Sequence, residues 1–218
     1  MPRDPHRDQP VLTAGAPLAE AAGALVLLHG RGGSAQEMLS LARDLQASSK
    51  GSGRFAWLVP EAAGRQWYPY SLLEKVERNR PHLSSALALV KRVMEKIEAA
   101  RVPLERVVLL GFSQGGSVAL EFAARNARRY GGLVALSGAL LGPEGTPREY
   151  PGSLAQTPVF LGSGDADPHL PKRRVDETAA VLERLAATVT KRFYPGLGHA
   201  IHQDEIAFAR GMLDAVGT

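Results

Sequence analysis

The stretch RVVLLGFSQGGSVALEFAAR (106–125) runs from an apolar segment into a helical pattern, and Ser113 sits at the join, between Gly111 and Gly115. A lone G-x-S-x-G is weak evidence, because a chain with 23 glycines supplies one by chance in roughly one sequence in seven. Its setting strengthens it. A nucleophile elbow needs a strand directly before the serine and a helix directly after, and the pattern offers both. Such a turn strains the backbone at the serine and leaves no room for a Cβ at Gly111 or Gly115. It lifts the hydroxyl above the sheet, beside a helix N-terminus whose dipole favours developing negative charge. The competing reading is a plain glycine-rich turn with no chemistry.

Outward from this join the chain alternates β-rich runs with helical patterns. ALVLLHG (24–30), RFAWLVPEA (54–62), ERVVLLG (105–111), GGLVALSG (131–138), TPVFLGSG (157–164) and VTKRFYPG (189–196) read as strands. Between and after them, 34–49, 82–101, 113–129, 173–188 and 203–216 read as helices. The first carries Ser34 and Glu37 at capping-box spacing. The second repeats Leu83, Leu87, Val90, Met94 and Ile97 at steps of three and four. A GSG run at 51–53 breaks the chain before the second strand. Strand-then-helix alternation predicts an α/β fold, a mostly parallel sheet with helices on both faces. One domain over 15–218 is expected, with 1–14 as a frayed, charged and proline-rich tail. The longest irregular stretch, 138–156, is too short for a separate cap domain.

Composition removes several classes of function. With no cysteine in 218 residues, disulfides, cysteine zinc sites and cysteine nucleophiles are excluded. The net charge of +4 comes from scattered basic residues with no stripe or interleaved aromatics, so no nucleic-acid partner is expected. No secretory h-region and no apolar run of membrane-spanning length occur, which predicts a cytoplasmic protein without integral membrane association.

In open sheets of this type, ligands bind beyond the carboxyl ends of the strands. A serine there needs a base, and the base needs an orienting carboxylate, in chain order Ser, Asp or Glu, His. Three histidines follow Ser113: His169, His199 and His202. His199 lies between a strand and the last helix, with Gly196 and Gly198 letting its loop bend toward the sheet edge. His202 reads as a helix-start residue, and His169 lies in the loop that would carry the acid. Asp165 and Asp167 both qualify as that acid. Pro168 holds Asp167 extended, whereas Asp165 could brace the loop through backbone N–H groups.

The oxyanion donors are expected to be the backbone N–H of Gln114 and that of Arg31, in the loop HGRGGS, with His29 bracing that loop. GRGGSA lacks the ending of a phosphate loop, D-x-D before Pro168 does not fit an EF-hand, and HAIH has no carboxylate at metal-site spacing. No cofactor and no metal are therefore expected. Trp67, Tyr68, Phe112, Leu140, Leu141, Leu170 and Leu197 are the apolar candidates for the walls of a substrate cleft.

Taken together, LHGRGG, WYPYSLL, GFSQGG, GSGDADPHLP and YPGLGH, in that order, resemble the phospholipase/carboxylesterase family of α/β-hydrolases, from about Ala24 to the C-terminus. The resemblance implies an α/β-hydrolase fold, a triad on Ser113, Asp167 and His199, and oxyanion donors on Arg31 and Gln114. It thereby selects Asp167 over Asp165. It implies a serine carboxylesterase acting on short- to medium-chain esters through an acyl-enzyme, and makes a homodimer plausible. Acyl-protein thioesterases and lysophospholipases would use the same triad. Here HGRGG replaces the H-G-L-G-D usual in the thioesterases, and WYP follows the second strand, so the sequence looks closer to the bacterial carboxylesterase branch. A non-catalytic binding protein on the same fold is the alternative from another class.

Overall fold

A computed structural model describes residues 4–46 and 54–217. The end of the expected first helix (47–49) and the break at 51–53 lie outside the described residues. The core is a seven-stranded sheet in the order β1-β3-β2-β4-β5-β6-β7. Its strands are β1 (Val11–Gly15), β2 (Gly23–Leu28), β3 (Phe55–Pro60), β4 (Val107–Phe112), β5 (Gly132–Leu136), β6 (Pro158–Gly164) and β7 (Thr188–Tyr194). All pairings are parallel except β1 with β3. Helices α1 (Ala35–Gln46), α2 (His82–Ala99), α3 (Gln114–Arg125), α4 (Lys172–Arg184) and α5 (Gln203–Gly217) cover it. This is the α/β-hydrolase arrangement, and no helix among the described residues is long and apolar enough to cross a membrane.

The apolar runs are continuous because both faces of the sheet are covered. Successive strand residues alternate between two cores. Ala24, Val26 and Leu28 of β2 and Val107 and Leu109 of β4 pack under α2, α3 and α4. Leu25 and Leu27, with Val108 and Leu110, pack under α1 and α5. Each fully buried leucine or valine contributes roughly 1.5–3 kcal/mol relative to exposure. The first helix starts with the capping box read from sequence: the Glu37 N–H donates to Ser34 Oγ at 3.3 Å, and the Ser34 N–H to Glu37 Oε2 at 2.9 Å.

Of the tail expected over 1–14, the described residues 4–14 differ from a frayed segment. Val11–Gly15 is the edge strand β1, and His6 is fully buried. The His6 N–H donates to Ser85 Oγ at 2.7 Å. Its ring accepts the Ala63 N–H on Nδ1 at 3.0 Å, which leaves Nε2–H to donate to the Trp67 carbonyl at 3.1 Å. Burial lowers the His6 pKa, as expected for an imidazole that bonds as a neutral ring. The segment is therefore packed beneath the loop that follows β3.

Candidate active site

β4 ends at Phe112, and α3 starts at Gln114. The single residue between them, Ser113, adopts φ 53° and ψ −117°. That is a costly conformation for a residue with a Cβ, about 1–3 kcal/mol, and it persists only when the surroundings fix it. Here the Ser113 N–H donates to the Leu136 carbonyl at 2.8 Å, and its carbonyl accepts the Ser117 N–H at 3.0 Å. The two flanking glycines are required by close approach. A Cβ on Gly115 would lie 2.0 Å from the Leu28 carbonyl oxygen, and one on Gly111 would lie 2.3 Å from the Gly115 backbone.

Two loops from the other side of β4 reach this serine. The loop after β6 carries Asp167, whose carboxylate is fully buried, and the loop after β7 carries His199. Asp167 Oδ1 accepts the backbone N–H groups of His169 at 2.8 Å and Leu170 at 3.2 Å. Its Oδ2 accepts the His199 Nδ1–H at 2.7 Å. With Nδ1 protonated, Nε2 carries the lone pair, and the Ser113 hydroxyl donates to it at 2.8 Å. An imidazole so held can take the serine proton and keep the resulting charge beside a carboxylate.

Phe112 packs at 5.0 Å from the His199 ring, and His169 meets that ring edge-on, also at 5.0 Å. Asp165 is exposed and accepts the Gly196 N–H at 2.7 Å, a bracing contact within the histidine loop. His202 stacks on Tyr194 and accepts the Asp204 N–H at the start of α5. His29 lies outside this chain of bonds. Its Nε2 accepts the Ala62 N–H at 3.0 Å, so Nδ1–H donates to the Gly30 carbonyl at 2.7 Å, which fixes the loop after β2 as expected.

Ser113 opens into a cleft of about 540 Å³ lined by Arg31, Tyr68, Phe112, Gln114, His169 and His199, and by the loop over 69–73. As the first residue of α3, Gln114 has a backbone N–H without an intrahelical acceptor. Its side chain is pinned across the cleft: Nε2 donates to the Tyr68 carbonyl at 2.8 Å, and Oε1 accepts the Trp67 N–H at 3.0 Å. Gly32, at φ 75°, turns the loop that carries Arg31, a conformation suited to glycine.

Of the seven expected wall residues, the structure brings only Tyr68 and Phe112 to the cleft. Trp67 is fully buried between His6 and His29, its indole N–H donating to the His29 carbonyl at 2.7 Å. Leu140 and Leu141 are buried where the loop after β5 folds onto α3 and α4; their N–H groups donate to Thr178 Oγ1 and Glu121 Oε1. Leu170 is core beneath the aspartate loop. Leu197 serves through its backbone, its carbonyl accepting the Ala166 N–H at 3.0 Å. The wall consists instead of Tyr70, Leu72 and Leu73, with Tyr70 46% and Leu73 36% exposed. These residues sit in the WYPYSLL run, two to five positions past Tyr68.

Residues 13–216 match the family model Phospholipase/Carboxylesterase, and the chain belongs to that family. It is 32% identical over 133 residues to an acyl-protein thioesterase 1 of Debaryomyces hansenii, a match spanning 61% of this chain and 57% of that relative. A solved phospholipase/carboxylesterase from Dyadobacter fermentans is 42% identical and superposes with a TM-score of 0.88, over 94% of this chain and 96% of that one. A Bacillus cereus carboxylesterase, 19% identical, shares the fold with a TM-score of 0.75 over 96% of this chain and 95% of its own.

Proposed function

We propose that the protein is a serine carboxylesterase that hydrolyses short- to medium-chain carboxylic esters through an acyl-enzyme. The observation that carries this reading is the unbroken chain of hydrogen bonds from the Ser113 hydroxyl through His199 to the buried Asp167, at the floor of a cleft. Ser113 Oγ attacks the ester carbonyl while His199 Nε2 takes its proton. Asp167 keeps the imidazole in the reactive tautomer and stabilises its charged form. The N–H groups of Arg31 and Gln114 receive the negative charge on the carbonyl oxygen. His199 then protonates the departing alkoxide, and the C–O bond breaks to give alcohol and acyl-Ser113. Water, deprotonated by His199, attacks the acyl carbon and releases the carboxylic acid, with the proton returned to Ser113.

An open cleft with a wall of exposed tyrosine and leucine suits an acyl chain of a few carbons. A second reading, hydrolysis of acyl thioesters by the same groups, is favoured by the likeness to acyl-protein thioesterase 1. A panel of p-nitrophenyl esters with an acyl thioester of equal length separates the two. Replacing Ser113→Ala should lower kcat on p-nitrophenyl acetate by at least about 10⁴-fold and abolish labelling by a fluorophosphonate, with the melting temperature retained. An Ala variant that turns over at the wild-type rate would reject the assignment.

A further inference from the structure

The loop over 67–72 is an irregular segment in which six consecutive carbonyls accept hydrogen bonds. The Trp67 carbonyl is taken by His6, those of Ser71 and Leu72 by Asn79 Nδ2 and the Gly142 N–H, and that of Tyr68 in part by Gln114. The Ser71 carbonyl also accepts the Glu74 N–H, and the side-chain bonds that remain come from one residue. Arg31 Nη1 donates to the Pro69 carbonyl at 2.8 Å and to Gln66 Oε1 at 3.1 Å. Its Nη2 donates to the Tyr70 carbonyl at 2.8 Å and the Tyr68 carbonyl at 3.2 Å. The planar fork of guanidinium donors suits several acceptors at once, which a lysine cannot match. So the residue whose backbone N–H the esterase reading assigns to the oxyanion also ties down, with its side chain, three successive carbonyls of the 68–73 wall.

Sheet order says which part of a substrate meets that wall. The strands carrying Arg31 and the wall, β2 and β3, lie on one side of β4; those carrying Asp167 and His199, β6 and β7, lie on the other. In the esterase reading, on which this argument rests, His199 must reach the leaving oxygen. The alcohol therefore leaves on the His199 and His169 side, and the acyl chain extends over Tyr70, Leu72 and Leu73. We infer that the Arg31 side chain is a positioning residue for acyl-chain selection: it holds the 68–73 wall in place, and the preference for longer acyl groups depends on it.

The test is a ratio, because a ratio cancels any loss common to all substrates. Burying one methylene is worth about 0.8 kcal/mol, about 4-fold when complete, so a half-covering wall gives roughly 2-fold per methylene. From p-nitrophenyl acetate to hexanoate, kcat/KM of the wild type should therefore rise by on the order of 10-fold. In Arg31→Met the hexanoate-to-acetate ratio should fall to about 1–2, and Arg31→Lys should recover part of it. Amide hydrogen exchange of Tyr70 to Leu73, read on the same variants, follows the clamp without reference to catalysis and should quicken in Arg31→Met. A wild-type ratio retained in Arg31→Met, a flat wild-type series, or unchanged exchange would each overturn the inference. Any of these could occur while Ser113→Ala remained inactive, so the esterase reading would survive. Conversely, an active Ser113→Ala would reject that reading, and exchange would still report the clamp.

Discussion

The two flanks of the cleft are held by different kinds of bond. On the β5–β7 flank, backbone N–H groups orient Asp167, but the bonds that reach Ser113 join side chain to side chain: Asp167 to His199 at 2.7 Å and His199 to Ser113 at 2.8 Å. On the β2–β3 flank, side chains meet backbone: Arg31, Gln114, Asn79 and His6 take the carbonyls of the 67–71 loop. The first arrangement depends on the chemical identity of each partner at each position. The second needs only that some donor be there, since a carbonyl is the same whichever residue bears it. A substitution on the first flank should therefore strike kcat, and one on the second should strike stability and substrate preference.

The largest expected effect tests the first half of that contrast. Asp167→Asn preserves shape, and its amide oxygen can still accept the N–H groups of His169 and Leu170. Its NH2 group, however, would donate toward His199 and favour the wrong tautomer. Turnover of p-nitrophenyl acetate should drop roughly 10⁴-fold, with the fold intact. Steady-state kinetics beside a thermal melt decide it; a loss below about tenfold would mean that tautomer control is not what this flank provides.

The second half is tested at His6→Ala. The substitution leaves the Trp67 carbonyl and the Ala63 N–H without their partner and opens a void beside a buried indole. Unpaired buried groups and a cavity together cost about 2–4 kcal/mol, which urea unfolding would read as a lower midpoint at unchanged slope. Acetate turnover per folded molecule should stay within a few-fold. Loss of turnover without loss of stability would erase the difference between the flanks.

The same contrast explains what the sequence discloses. β2 through β6 are legible because burial on both faces leaves unbroken apolar runs, and the Ser34–Glu37 cap because both partners lie in one local motif. Ser113 and His199 stand out as candidates because each sits just beyond a strand, where the fold gathers its loops, whereas position leaves Asp165 and Asp167 equally placed and only the family resemblance chooses Asp167. β1 escapes because Val11–Gly15 is an edge strand with partly exposed residues, so no continuous apolar run marks it. His6 escapes because its partners are a serine hydroxyl, an amide and a carbonyl, 57 to 79 positions away. Leu140, Leu141 and Leu170 mislead because an apolar residue after a strand can turn either to the cleft or into the helical layer, and spacing does not distinguish the two. The Arg31 clamp has no signature, because three of its four acceptors are backbone carbonyls.

Glu205 sharpens the comparison from inside the triad flank, with the smallest effect. It is fully buried beside Gly162 of β6. Oε2 accepts the His202 N–H at 2.6 Å, closing the start of α5 just past the histidine loop, while Oε1 is unpartnered among the described residues. Burial, with Asp204 adding repulsion, raises its pKa to about 7; the bond from the His202 N–H opposes this only in part. The folded protein thus keeps a proton that the unfolded chain gives up near its ordinary value of about 4.3. Stability at this site is fully present below that value, falls as pH rises toward the folded value, and stays low above it. Glu205→Gln carries no such proton, and its amide oxygen can still accept from His202. Relative to wild type, the variant should gain on the order of 2 kcal/mol between pH 5 and pH 8, read as the difference between urea unfolding free energies at the two values. Taking that difference cancels the other titrating groups, which both proteins share. A difference that does not change with pH would mean that the carboxyl is solvated through local opening, and that this flank is looser than its bonds suggest.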